Sequence, residues 1–388
     1  MAASASNLTA EVLGGARIGE PVSKEAACEL IRATDEQLPE LLAAALATKR
    51  KFKSNLITYS RKVFIPLTNL CRDYCGYCTF RRDPGQPGAH TMTPDEVLAV
   101  ARAGERLGCT EALFSLGDKP ELIFPEMRDT LHHLGYNSTL HYLEAMCELV
   151  LRETSLLPHP NPGLLSAEWI TRLARVSPSM GLMLESTKHL ACHNDAPDKI
   201  PAKRLRTIGE AGKQNVPFTT GLLIGIGESL EDRVDTLVAI RDLHERYGDI
   251  QEVIIQNFRA KPEIPMRNHP EPTHGEMLRT IAVARLLMPQ MNIQAPPNLS
   301  LPHYDDFLDA GINDWGGISP LTPDFINPEK PWPHLDQLQC RTEAKGNILR
   351  QRLPVYPEFI PALIGRKGLV AEKLAIAAAS IGLTGRAA

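Results

Sequence analysis

Three cysteines, Cys71, Cys75 and Cys78, follow the apolar run at 63–67 with the spacing C-x-x-x-C-x-x-C. The odd number is chemically informative. Three thiolates on one short loop can hold three corners of a cubane [4Fe-4S] cluster, which leaves the fourth iron open to bind and activate a small molecule. A fully ligated cluster mostly passes electrons. Two other readings of the same residues stay open. A structural zinc ion wants four tetrahedral ligands, and His90 is a fourth candidate, although residues 81–88 offer no second ligand pair. An inert or disulfide role is the third reading.

The bulk numbers exclude several classes. The chain has 388 residues, 43% hydrophobic and 23% charged, which is ordinary for a globular protein of one large or two smaller domains. A net charge of −4 argues against a dedicated nucleic-acid binder. The apolar runs are too short to span a membrane. Residues 1–9 lack the basic and apolar blocks of a secretory signal. Eight cysteines with three clustered fit metal chemistry in a reducing cytoplasm better than a disulfide framework. Cys28, Cys109, Cys147, Cys192 and Cys340 are scattered and read as small buried hydrophobes.

The elements that must position the cysteines follow a coarse rhythm of apolar run, turn and helical pattern. Runs are expected at 63–67, 111–116, near 156–157, at 181–184, 218–226, 252–255, 291–294 and 311–317. Helices are expected at 93–107, 138–153, from 166, and at 229–247 and 276–288. Thr93, Pro94 and Glu96 make a capping box with Pro at the first helical position. Eight strands alternating with helices predict an α/β fold, a (β/α)8 TIM-type barrel, with an open doubly wound sheet as the competitor. Polar residues decide for the barrel: Asn69, Asp118, Asn161, Glu185, Glu228, Asn257, Asn298 and Asp314 are each expected at or just past the C-terminal end of a strand, where barrel sites are built. Residues 1–60 read as an N-terminal helical extension, 61–331 as the barrel and 332–388 as a C-terminal tail with a final alanine-rich helix.

With the loop placed after a first strand, Cys71-x-x-x-Cys75-x-Tyr77-Cys78 resembles the signature of the radical S-adenosylmethionine (SAM) superfamily. The resemblance implies a [4Fe-4S] cluster whose open iron is chelated by SAM, and reductive cleavage of SAM to a 5′-deoxyadenosyl radical. It also implies cofactor-binding roles for Tyr77 near the adenine, for Gly117 and Asp118 after the second strand, and for Glu185 and Arg204. Gly225 and Gly227 would let backbone approach the nucleoside. Residues 64–80 are closest to the cluster loop of the deazaflavin-forming FO synthases, and within them to the ring-closing subunit. Residues 116–121, 256–258 and 314–320 support this, and the likeness runs from about 60 to 350. Pro160 is a departure that bears on no assigned role.

That resemblance implies a radical SAM lyase that closes the ring of 7,8-didemethyl-8-hydroxy-5-deazariboflavin with loss of ammonia. Its substrate would be the adduct of 5-amino-6-(D-ribitylamino)uracil and a tyrosine-derived phenolic fragment. A tyrosine-splitting partner subunit would supply that adduct, and ferredoxin or flavodoxin the electron. Asn161, Asn257 and Asn298 are candidate substrate contacts, and Asp314 a substrate contact or catalytic group. His159 and His303 are candidate proton carriers. The rivals within the superfamily are the tyrosine-splitting subunit itself and futalosine- or biotin-type enzymes. A zinc-stabilised or electron-carrying protein without turnover is the rival outside it.

Overall fold

A computed structural model describes residues 14–15 and 19–382; the stretch at 1–9 lies outside them. Eight strands form one parallel sheet in the order β3-β2-β1-β8-β7-β6-β5-β4. They are β1 (Leu56–Thr68), β2 (Glu111–Leu116), β3 (Leu157–Asn161), β4 (Met180–Gly181), β5 (Phe218–Ile224), β6 (Ile250–Asn257), β7 (Ile293–Gln294) and β8 (Asp314–Ile318). Each of the eight expected runs carries a strand. The α/β barrel is therefore present, with one seam: β3 and β4 pack together but share no ladder.

Alternation along β1 separates the two sides of the wall. Val63, Ile65 and Leu67 are fully buried, and Val63 lies so close to Gly104 that a Cβ there would stand 2.4 Å from it. Gly104 belongs to the helix Pro94–Arg106, so this face of the strand packs on the helical ring. Lys62 and Phe64 face the barrel interior. Register carries the layers around the wall: Lys62 pairs with Glu111, and Leu113 with His159.

The helices start where the side chains can cap them. Thr93 with Glu96, Ser229 with Asp232 and Thr273 with Glu276 are reciprocal capping boxes, and Ser138 and Ser166 each accept from the backbone N–H three residues on, His141 and Trp169. No helix among the described residues is long and apolar enough to cross a membrane.

Residues beyond 331 do more than trail away. A ninth strand, β9 (Ile348–Arg352), pairs parallel with the first half of β1, from Leu56↔Ile348 to Ser60↔Arg352. It delivers Arg352 into the N-terminal end of the barrel. There Arg352 Nε donates to Asp314 Oδ2 at 2.6 Å and Nη2 to Glu252 Oε1 at 2.7 Å. Pro354 O accepts from Ser179 Oγ at 2.8 Å and from Gln251 Nε2 at 3.0 Å, sealing the floor beside the β3/β4 seam.

This geometry corrects one expectation. Asp314 is the first residue of β8, not its end, so it belongs to the floor. It is fully buried, held by Arg352 and the Gly316 N–H, and lines neither cavity described below.

Candidate functional site

The loop after β1 carries the three cysteines over the C-terminal mouth of the barrel. Asn69 secures its base: its Nδ2 donates to Gly88 O at 2.7 Å, and its Oδ1 accepts from His90 N at 2.8 Å. Cys71 Sγ accepts from the backbone N–H groups of Asp73 at 3.3 Å and Asp118 at 3.2 Å. Gly117 makes that approach possible, because a Cβ there would stand 1.8 Å from Leu70 O and 2.7 Å from Cys71 Cβ. Burial pushes the Cys71 thiol up to about 12 and the Cys75 thiol higher still. These sulfurs become thiolates only beside a compensating cation.

The zinc reading lacks its fourth ligand and a close set of sulfurs. Among the described residues, the acid, His or Cys groups whose ligand atoms all fall within 4.8 Å of one another are Asp73, Asp118 and Asp198. The three cysteine sulfurs are therefore spread wider than one zinc ion with bonds of about 2.3 Å can gather. His90 is exposed and turned to Glu96, 3.1 Å away. A wide triangle of sulfurs on a loop that a glycine lets close fits three corners of a cubane.

The three cysteines line a cavity of about 300 Å³ with Tyr77, Gly117, Asp118, Asn161, Glu185, Arg204 and Asn257. Tyr77 OH lies 3.0 Å from His193 Nε2 and 3.3 Å from Glu185 Oε1. Lys199 Nζ lies 2.6 Å from the same Glu185 oxygen. Burial alone would raise the Glu185 pKa, but Lys199 and then Arg204 more than offset it and hold the carboxyl below its usual range. Burial, with Lys199 adding to it, pushes the His193 imidazole down to about 4, so it is neutral at pH 7. The Arg204 guanidinium is oriented by two carbonyls, Met183 O at 2.6 Å and Asp198 O at 3.0 Å. Asp118 pairs with Lys119 and accepts from Leu164 N at 3.2 Å; burial dominates and pushes its carboxyl up to about 6.

Other expected residues lie elsewhere. Gly225 and Gly227 adopt φ of +85° and +109° in the turn after β5, away from the cavity lining, where Glu228 accepts from Gly225 N and Ile226 N. Asn298 is fully buried outside the cavity lining; its Nδ2 donates to Asp324 Oδ2 and Lys330 O, and its Oδ1 has no hydrogen-bond partner. His303 is exposed, its ring tilted 57° to that of His274 with centroids 6.0 Å apart. Cys340 is exposed and Cys28 and Cys192 are half-buried, so only Cys109 and Cys147 are the buried hydrophobes expected.

His159 lies within β3, not in the turn after it, and faces a second cavity of about 250 Å³ inside the barrel. The two cavities share Asn161, Met183, Thr219, Ile254, Gln256 and Ile326, so they adjoin, one beneath the cysteines and the other towards the floor. Ser179 Oγ gives its proton to Pro354 O and so accepts from His159 Nδ1, 2.7 Å away. That fixes the tautomer with Nε2 bare. Burial pushes this imidazole down to about 4. Gly181 leaves room beside it: a Cβ there would stand 2.2 Å from Asn161 Oδ1 and 3.1 Å from His159 Nε2. The buried side-chain oxygens of Asn161 and Asn257 have no hydrogen-bond partner.

Sequence reasoning missed Lys199, His193, Asp73 and Asp198, which come from loops without periodicity, and the chamber-lining Lys62, Glu111, Glu252 and Arg352.

Comparison with known proteins agrees with the geometry. Residues 65–240 match the Radical SAM superfamily, whose members use a [4Fe-4S] cluster and SAM. The chain is 47% identical to the 7,8-didemethyl-8-hydroxy-5-deazariboflavin synthase of Methanopyrus kandleri, over 79% of this chain and 93% of that protein. It is 49% identical to the synthase of the same name from Methanosarcina mazei, over 82% and 92%. It is 48% identical to the FO synthase of Nocardia farcinica over 89% of this chain but only 42% of that longer protein. Among solved structures, the hydrogenase maturase HydG superposes with a TM-score of 0.74 at 16% identity, covering 96% of this chain and 89% of that one. Methylornithine synthase does so with 0.66 at 16% identity, covering 87% and 97%. These two speak for the barrel alone. Across nearly the whole length of the two synthases, then, the chain belongs to the 7,8-didemethyl-8-hydroxy-5-deazariboflavin synthase family of radical SAM enzymes.

Proposed function

We propose that this chain closes the deazaflavin ring of 7,8-didemethyl-8-hydroxy-5-deazariboflavin from the ribitylaminouracil–phenol adduct, with loss of ammonia. The observation that carries the proposal is a polar chamber inside the barrel that shares six wall residues with the cavity beneath the cysteine loop. Cys71, Cys75 and Cys78 would hold three irons of the cluster. Tyr77, Asp118, Glu185 and Arg204 would surround SAM, with Gly117 letting the loop close. When bound, the cluster and SAM supply a 5′-deoxyadenosyl radical that takes a hydrogen atom from the substrate.

The chain's own residues bind, orient and exclude water. Arg204, set by its two carbonyls, offers a fixed guanidinium edge to a carboxylate. Glu185, kept ionised by Lys199, offers acceptor oxygens to hydroxyls or an ammonium. Asn161 and Asn257 present unpaired carboxamide oxygens to N–H or O–H donors of the substrate. His159, neutral with Nε2 bare, is the proposed proton acceptor on the chamber wall; His303 has no such position.

A tyrosine-splitting centre outside these 388 residues would supply the adduct, and a small electron carrier such as ferredoxin or flavodoxin the reductant. The chain spans less than half of the FO synthases it matches, which supports a second centre. The test is anaerobic reconstitution with iron and sulfide, followed by incubation with a tyrosine-splitting enzyme, tyrosine, 5-amino-6-(D-ribitylamino)uracil, reductant and SAM. Deazaflavin fluorescence that requires this chain is the expected result. Equal fluorescence without it overturns the proposal.

A further inference from the structure

Inside the barrel, below the neck at Asn161 and Gln256, the second cavity has an unusual lining. It contains two cations and two buried acids contributed by strands, and they are matched. Lys62 Nζ lies 2.7 Å from Glu111 Oε1, and Arg352 Nη2 lies 2.7 Å from Glu252 Oε1. Tyr356 OH adds a hydrogen bond to Glu252 at 2.9 Å, and Arg352 is further neutralised by Asp314. Asp324 also borders the space, its carboxylate satisfied by Asn298, Asn327 and the Ile326 N–H. The walls between these pairs carry uncharged donors and acceptors from Ser115, Thr219, Gln256 and Gln294. On one side Phe64 stacks on Trp332, with centroids 5.3 Å apart and planes within 5°.

Such a lining discriminates by charge. Each cation already has a carboxylate, so no uncompensated positive group awaits an anion. A phosphate brought here would face Glu111, Glu252 and Asp324 at close range in a low dielectric. A neutral chain of hydroxyls meets the opposite situation. Carboxylate oxygens, carboxamides and hydroxyls around a closed space can each exchange a hydrogen bond with one of its O–H groups.

We propose that the inner chamber is the seat of an uncharged polyhydroxyl chain, the ribityl arm of the substrate, and that its paired charges exclude the phosphorylated arm. The inference rests on the proposed ring-closing activity and adds to it where the substrate's tail lies and which form is refused. It also orients the substrate: with the arm on the floor, the heterocycle lies at the neck, between Asn161 and Asn257 and below the cysteine loop.

The test uses the reconstituted full chain and three fluorescent probes: the deazaflavin product, its 5′-phosphate, and the same chromophore without the ribityl arm. Binding is followed by fluorescence anisotropy near pH 8. The product is expected to bind about tenfold or more tightly than either of the other two. In Glu111→Gln one carboxylate is neutralised and Lys62 is left uncompensated, so the penalty on the phosphate is expected to shrink to about threefold or less. A phosphate that binds wild-type protein as tightly as the product overturns the proposal, as does an arm-free chromophore that binds equally well. An unchanged phosphate penalty in folded Glu111→Gln also overturns it. The wild-type comparison decides alone should that variant not fold. A chain that makes deazaflavin yet binds the phosphate freely loses only this subsite, whereas one that neither makes nor binds the product loses the ring-closing reading.

Discussion

Lys199 Nζ and Glu185 Oε1 are 2.6 Å apart beside Tyr77, with Glu185 buried and Lys199 partly buried. Removing one partner strands the other. Lys199→Met is expected to destabilise the protein by about 3 kcal/mol, because the buried carboxylate loses its nearest counter-charge and keeps Arg204 alone. Urea unfolding measures this. The pH dependence has a definite sign. The Glu185 pKa is lowered in the folded protein, so its contribution is present above the unfolded carboxylate value of about 4.3 and is lost as pH falls through the lower folded value. The Lys199 pKa is raised by the pair, so its contribution is full below about 10.4 and is lost as pH rises through the higher folded value. Wild-type protein should show both flanks; Lys199→Met should lose the alkaline flank and show the acid flank weakened or reversed, because burial then opposes the ionised carboxylate with Arg204 left to offset it.

Replacing Cys71, Cys75 or Cys78 singly by Ala is expected to abolish 5′-deoxyadenosine formation and to lower bound iron from about four per chain. Iron analysis and chromatography of the nucleoside read the two effects. Undiminished nucleoside in all three variants would defeat the cluster assignment.

Gly117→Ala tests the close approach of β2's end to the cysteine loop. Its methyl group has no space against Leu70 O, and a backbone atom cannot swing away as a side chain does. A stability loss of about 1–3 kcal/mol is expected, together with impaired cluster uptake. Full iron loading with normal stability would show that the loop does not need this contact.

Asp314→Asn separates floor from site. Arg352 keeps Glu252 but loses its main counter-charge, so a loss of about 3 kcal/mol is expected in urea. The folded fraction should keep its ability to cleave SAM. A variant of normal stability that has lost cleavage would return Asp314 to the chemistry.

His303→Ala should change deazaflavin formation by less than about twofold, since exposed side chains away from a site contribute little. Fluorescence rates with excess partner enzyme provide the measurement.

The barrel was legible in the sequence because strands buried on both faces leave apolar runs, and helix starts leave capping residues. The cysteines were legible because their spacing is itself the chemistry. Asp314 was misplaced for a local reason: Gly311 and Ile312 precede the strand, and the glycines at 316 and 317 lie inside it, so the apparent end of the run is its beginning. Gly225 and Gly227 look like a nucleotide turn, and in the fold the N–H groups of Gly225 and Ile226 go to Glu228. Lys199 and His193 lie in an irregular loop whose path depends on tertiary contacts. Arg352 was invisible because Ile348–Arg352 is mostly polar and mostly solvent-facing, and only its pairing to β1 brings one side chain inside.

The late arrival of Arg352 has a bearing on biosynthesis. Glu252 and Asp314 enter the interior with the sixth and eighth strands, yet their shared cation is translated after both. A nascent chain stopped before residue 352 would have to keep two carboxylates hydrated or protonated, so its barrel cannot close stably. The metal-binding loop, complete some 270 residues earlier, would then gain its rigid scaffold only once nearly the whole polypeptide has been made.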